Sequence, residues 1–140
     1  MAFFSRSSNV RSSLASLVNK AHIQQTLKPA FWLACLAVAT LSLLPPKDLP
    51  TIAMDIWDKA QHAIGFLGLG ILGLLAYPRH PTKVLAGLVL FGLCIEVAQA
   101  ATGWRTGDVL DWMADLAGLL VAMALRWAQI RFGAPRNAAR

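Results

Sequence analysis

Long apolar runs alternate with short polar stretches along this chain. The first is PAFWLACLAVATLSLLPP, residues 29–46. It is uncharged and has about the 20 residues that a bilayer span requires. The double proline at its end predicts a stop, because proline disfavours helical geometry in the residue before it. The second run lies within WDKAQHAIGFLGLGILGLLAY, residues 57–77. The third is VLAGLVLFGLCIEVAQAAT, 84–102, and the fourth DVLDWMADLAGLLVAMALRWAQI, 108–130. PRHPTK and GWRTG predict tight turns on either side of the third run.

None of the four runs keeps a consistent polar face, so the amphipathic helices of a soluble bundle are not expected. Gly65, Gly68, Gly70 and Gly73 would weaken a helix in water. In a bilayer such small residues let a neighbouring helix approach closely, and Ala114, Gly118 and Ala122 offer a similar face on the fourth helix. The pattern predicts an all-α membrane protein, with four transmembrane helices in one compact bundle over residues 29–130. Basic tails precede it at 1–28 and follow it at 131–140. Within the first tail, LASLVNKAHIQQTL permits a weak interfacial helix.

Composition supports this class. Hydrophobic residues make up 56% of the 140 and charged residues only 14%, where a soluble domain carries about 25%. The net charge is +6, but the basic residues are scattered and not interleaved with aromatics, so nucleic acid is not an expected partner. Cys35 and Cys94 sit inside apolar runs and read as inert packing groups, and two cysteines make no metal or disulfide framework. No small-residue cleavage box precedes Cys35 or the double proline, so the first span reads as retained.

Alternating spans put both tails and the 2–3 turn on one side of the membrane. That side collects ten of the 13 Lys and Arg, while Lys47, Lys59 and Arg105 fall on the other. The excess marks the first side, with both termini, as cytoplasmic. Trp32 and Trp127 then fall at the inner interface, and Trp57, Trp104 and Trp112 at the outer one, as an aromatic belt would.

All seven acidic residues fall on the outer side. Asp58 and His62 are spaced i, i+4; Glu96 and Gln99 i, i+3; Asp108, Asp111 and Asp115 i, i+3, i+7. Each set shares one helix face, and Arg105 lies in the turn between the last two sets. The topology therefore predicts a polar funnel opening outward, made of Asp58, Lys59, His62, Glu96, Gln99, Arg105, Asp108, Asp111 and Asp115. Simpler roles exist for some of these residues: an N-cap for Asp108, a first-turn acid for Asp111, an interfacial histidine for His62 and an interfacial anchor for Lys59. Glu96 and Asp115 resist such readings, because ionisable groups inside a membrane are costly and mark function by default. One Arg, one Lys and one His are too few for the nearby acids. Protonation of Glu96 or Asp115, or a bound cation or cationic ligand, is therefore expected. The carboxylates and His62 are not in a diagnostic metal-ligand spacing, so neither a metal nor any other cofactor is assigned. No motif of a known hydrolase or nucleotide-binding site is present.

DKAQH, with Asp58, Lys59 and His62, resembles the start of the second helix in the VanZ-like family of small membrane proteins. EVAQAATGWRTGDVLDWMADLAG resembles that family's later motif through Glu96, Gln99, Arg105, Asp108, Asp111 and Gly118. Asp115 stands where Asn is commoner, and the proline usual before the Arg is missing. The resemblance covers roughly residues 33–125. It implies a four-helix bundle in the bacterial cytoplasmic membrane and a link to the cell envelope, the founding member being associated with teicoplanin resistance. The expected function is binding of an envelope lipid, a glycan head group or an amphiphilic antibiotic of glycopeptide type in the outward pocket. A membrane-embedded hydrolase or transferase at the outer leaflet, and a proton-coupled transporter or accessory subunit, are the alternatives.

Overall fold

In the computed structural model the described residues are 3–48 and 57–133, and side chains are described from residue 22 onward, apart from residue 46. The chain is all-helical there. Helix α1 spans Phe3–Leu43, a single 3-10 turn covers Pro46–Asp48, and α2 (Asp58–Ala76), α3 (Pro81–Thr102) and α4 (Val109–Phe132) follow.

His22–Leu43 of α1, all of α2 and all of α3 are long and apolar enough to cross a membrane. Helix α4 has 24 residues and carries Asp111, Asp115, Arg126 and Arg131 along its length. Large apolar side chains cover the outside of the bundle, among them Leu33, Leu36, Leu90, Val97 and Leu120, each at least 60% exposed. That exterior suits hydrocarbon and not water.

The first helix differs from its expected extent. Its backbone is helical from Phe3 and passes through Pro29 without a break. A proline inside a helix forfeits one backbone hydrogen bond, yet it is tolerated in membrane helices. Residues 14–27, where a weak separate helix was expected, instead lie within α1 and run on into its apolar span. The other boundaries lie within three residues of expectation. Pro81 takes a first-turn position in α3, where its missing N–H costs nothing. Gly103 ends α3 with φ of 80°, a left-handed conformation that glycine adopts without strain.

Helices α2 and α4 run parallel and share the most extensive seam, α1 packs on α2, and α3 meets the other helices over smaller areas. Small residues make the α2–α4 seam possible. A Cβ added at Gly118 would fall on the Ala63 carbonyl oxygen, and one at Gly70 would lie 2.7 Å from the Ala122 Cβ. Gly118 and Ala122 thus do what the small-residue pattern predicted. The core of Phe31, Cys35, Phe66, Leu69, Leu88 and Leu119 fills the middle of the bundle. At the α2 C-terminus, Arg126 donates to the Leu74 and Pro78 carbonyls at 2.9 and 2.8 Å, satisfying acceptors that the helix end leaves open.

Candidate functional site

The parallel seam sets the starts of α2 and α4 side by side, and α3 brings its C-terminal end to the same place. The polar groups of these three helices therefore meet at one end of the bundle.

The rim is built around Lys59. Its Nζ lies 2.8 Å from Asp108 Oδ2 and 2.7 Å from Asp111 Oδ1. Lys59 is thus the shared counter-ion of two carboxylates, more than an interfacial anchor. Asp108 is indeed the N-cap of α4, its Oδ1 accepting from the Leu110 N–H at 2.8 Å, but its other oxygen serves Lys59. The Lys59 ammonium and then the Leu110 N–H hold the Asp108 carboxyl below the usual carboxylate range. Asp111 is buried, so the dipole role alone does not describe it. Arg105 reaches Asp58 through one nitrogen at 3.5 Å, a long single contact.

Beneath the rim lies a buried floor. His62 Nδ1 is 2.9 Å from Asp115 Oδ1 and 3.7 Å from Glu96 Oε1. Asp115 is 0% exposed, Glu96 6% and His62 8%. Glu96 Oε2 accepts the Asp108 N–H at 2.8 Å, tying the end of α3 to the start of α4. Gly92, one turn before Glu96, makes room for Asp115: a Cβ there would stand 2.5 Å from Asp115 Oδ2. Gln99 turns away from the histidine and donates to the Ser42 carbonyl at the end of α1, at 3.0 Å. The Trp104 indole does the same for Leu43, at 3.2 Å. These two contacts close α1 onto the site.

All nine residues singled out from the sequence lie at this end. Asp58, Lys59, Arg105, Asp108 and Asp111 form the rim, and His62, Glu96 and Asp115 the floor; Gln99 faces α1. Trp112 departs from the expected belt, because its indole turns inward to donate to the Val89 carbonyl at 3.1 Å. Sequence reasoning missed Gly92, although a glycine four residues before Glu96 shares its helix face. It also missed the Ser42 and Leu43 carbonyls, which no side-chain pattern announces.

Among the described residues, four buried polar side-chain atoms at this end lack a hydrogen-bond partner: Glu96 Oε1, Gln99 Oε1, Arg105 Nε and Asp115 Oδ2. Each such atom costs about 1–3 kcal/mol unless something satisfies it. Two sets of side chains at this site, Asp58–His62–Asp111 and His62–Glu96–Asp115, each hold donor atoms within 4.8 Å of one another. The arrangement can therefore accept hydrogen bonds or positive charge from an occupant, and it can orient an imidazole against a carboxylate. Comparison with family models, curated proteins and solved structures found no match.

Proposed function

We propose that this chain is a VanZ-like protein of the bacterial cytoplasmic membrane, with α4 as a fourth span and both termini cytoplasmic. We propose further that the polar end of its bundle binds the head group of an envelope lipid, a glycan precursor or an amphiphilic antibiotic. Membership rests on Asp58, Lys59, His62, Glu96, Gln99, Arg105, Asp108, Asp111 and Gly118 at the family's motif positions. The four unpartnered polar atoms carry the binding reading. They come from α3, α4 and the turn between them, and they converge where lipid head groups meet the bundle. The rim holds three carboxylates and two cations, so it offers both donors and acceptors and favours a zwitterionic, amine-bearing or hydroxyl-rich group.

Native mass spectrometry of the detergent-purified chain tests the proposal. A bound amphiphile should accompany the wild type and be lost from Glu96→Gln and Arg105→Ala. A wild type that carries no adduct, together with full complementation of a deletion strain by both variants, sinks it. The orientation is tested by reporters: alkaline phosphatase fused after Arg140 should stay inactive.

The 2.9 Å approach of His62 to Asp115 favours a second reading, a hydrolase or transferase with His62 as base. Turnover of the bound amphiphile by the purified chain distinguishes it from binding alone. A transporter is less well supported. Among the described residues, the buried side chains between this floor and the opposite end are apolar, including Phe66, Leu69, Leu88 and Leu119.

A further inference from the structure

We propose that His62, Glu96 and Asp115 form a binding site for one divalent first-row transition-metal ion, of which Zn2+ is the best fit. The inference shares the polar end of the bundle, and the unpartnered Glu96 and Asp115 oxygens, with the head-group reading; it gives those two floor oxygens to a metal ion and leaves the rim to the head group.

Three observations converge on it. First, the donors come from three different helices, α2, α3 and α4, and all lie within 4.8 Å of one another. Around an ion with ligands at about 2.1 Å, tetrahedral donors stand about 3.4 Å apart. The separations of 2.9 and 3.7 Å from His62 Nδ1 to Asp115 Oδ1 and Glu96 Oε1 bracket that value. Second, Glu96 Oε1 and Asp115 Oδ2 are buried acceptors without a partner. One imidazole N–H cannot serve both carboxylates, whereas a cation between them would be coordinated by both. Gly92 keeps open the space that the Asp115 carboxylate needs.

The third observation is charge. Lys59 is committed to Asp108 and Asp111, and Arg105 lies nearest Asp58. Nothing permanently cationic remains for Glu96 and Asp115 among the described residues. With a neutral imidazole the floor lacks two positive charges, and a divalent ion supplies both. The donor set narrows the choice. Ca2+ takes six to eight oxygens and Mg2+ prefers an oxygen octahedron with several waters. One imidazole with two carboxylates suits Zn2+, Co2+ or Mn2+, and three protein ligands leave a coordination position for water or substrate.

The test uses the full chain in detergent, stripped with EDTA and titrated with Co2+ and then Zn2+. Expected is one equivalent of Co2+, with visible d–d bands of a four- or five-coordinate N/O site, displaced by one equivalent of Zn2+. His62→Asn, Glu96→Gln and Asp115→Asn should each weaken binding at least tenfold. Cys94→Ser and His80→Ala remove exposed alternative ligands and should bind as the wild type does. Sub-stoichiometric binding without d–d bands overturns the site, as does wild-type affinity in the three floor variants.

If those variants fail to fold, X-ray absorption of Zn2+-loaded wild type decides. A first shell of N/O donors at about 2.0–2.2 Å with imidazole scattering supports the site; sulfur or water-only ligation overturns it. Lipid adducts are read in the same samples. Metal without lipid removes the head-group reading and leaves this one, and lipid without metal does the reverse.

Discussion

Gly118 of α4 lies against the backbone of Ala63 in α2, so closely that a methyl group on Gly118 would land on the Ala63 carbonyl oxygen. Backbone cannot move aside as a side chain can. Gly118→Ala should therefore destabilise the bundle by about 1–3 kcal/mol, the usual cost of overpacking. Gly68 is the internal control, since nothing stands within 4 Å of an added Cβ. Gly68→Ala should be neutral or stabilising, by up to about 1 kcal/mol. Thermal unfolding in detergent, followed by helical circular dichroism, compares the two.

Lys59 holds the rim together through two carboxylates, one of them the buried Asp111. Lys59→Met leaves Asp111 without its counter-ion and should lower the unfolding temperature. Lys59→Met combined with Asp111→Asn should recover more than half of that loss. A double variant as unstable as the sum of the two single variants would show that the pair is not coupled.

The depressed Asp108 pKa gives the rim an acid limit. A carboxyl titrating lower in the folded chain than its ordinary value of about 3.9 stabilises fully above that value. The contribution disappears as pH falls through the lower, folded-state value. Stability should thus be flat in this term from neutral pH down to about pH 5 and fall below pH 4. Asp108→Asn, which keeps a side-chain cap, should make that acid decline shallower. Unfolding temperatures between pH 3 and pH 7 measure it, and an unchanged acid slope in the variant would refute the assignment.

Arg126 stitches the C-terminal turn of α2 to α4 through the Leu74 and Pro78 carbonyls. Hydrogen bonds from a charged donor are worth about 1.5–3 kcal/mol, so Arg126→Met should cost about that much. Arg126→Lys should restore only part, since one ammonium on a shorter reach cannot fork to two carbonyls. Hydrogen exchange of residues 74–80 should rise in Arg126→Met and stay low near Asp115.

Helices α2, α3 and α4 were legible in the sequence because Pro, Gly and charge bound each apolar run. The start of α1 was not, since Pro29 reads as a boundary in water but sits inside a continuous helix here. The site was legible in its membership and not in its pairing. Spacing along a helix fixes which residues share a face, as with Asp108, Asp111 and Asp115. How far each helix is rotated toward its neighbours is decided by close packing at Gly118, Gly70 and Gly92, and that rotation chose Lys59 for Asp111 and His62 for Asp115. Arg126 illustrates the same point. Its charge signalled a membrane side, while its contacts depend on where α2 happens to end.

The seams between helices are unequal, and this has a mechanical consequence. Helices α2 and α4 are locked backbone to backbone, whereas α3 is held over smaller areas. His62 and Asp115 belong to the locked pair; Glu96 belongs to the loosely held helix. An occupant lodged between them would rivet the loosely held helix to the locked pair.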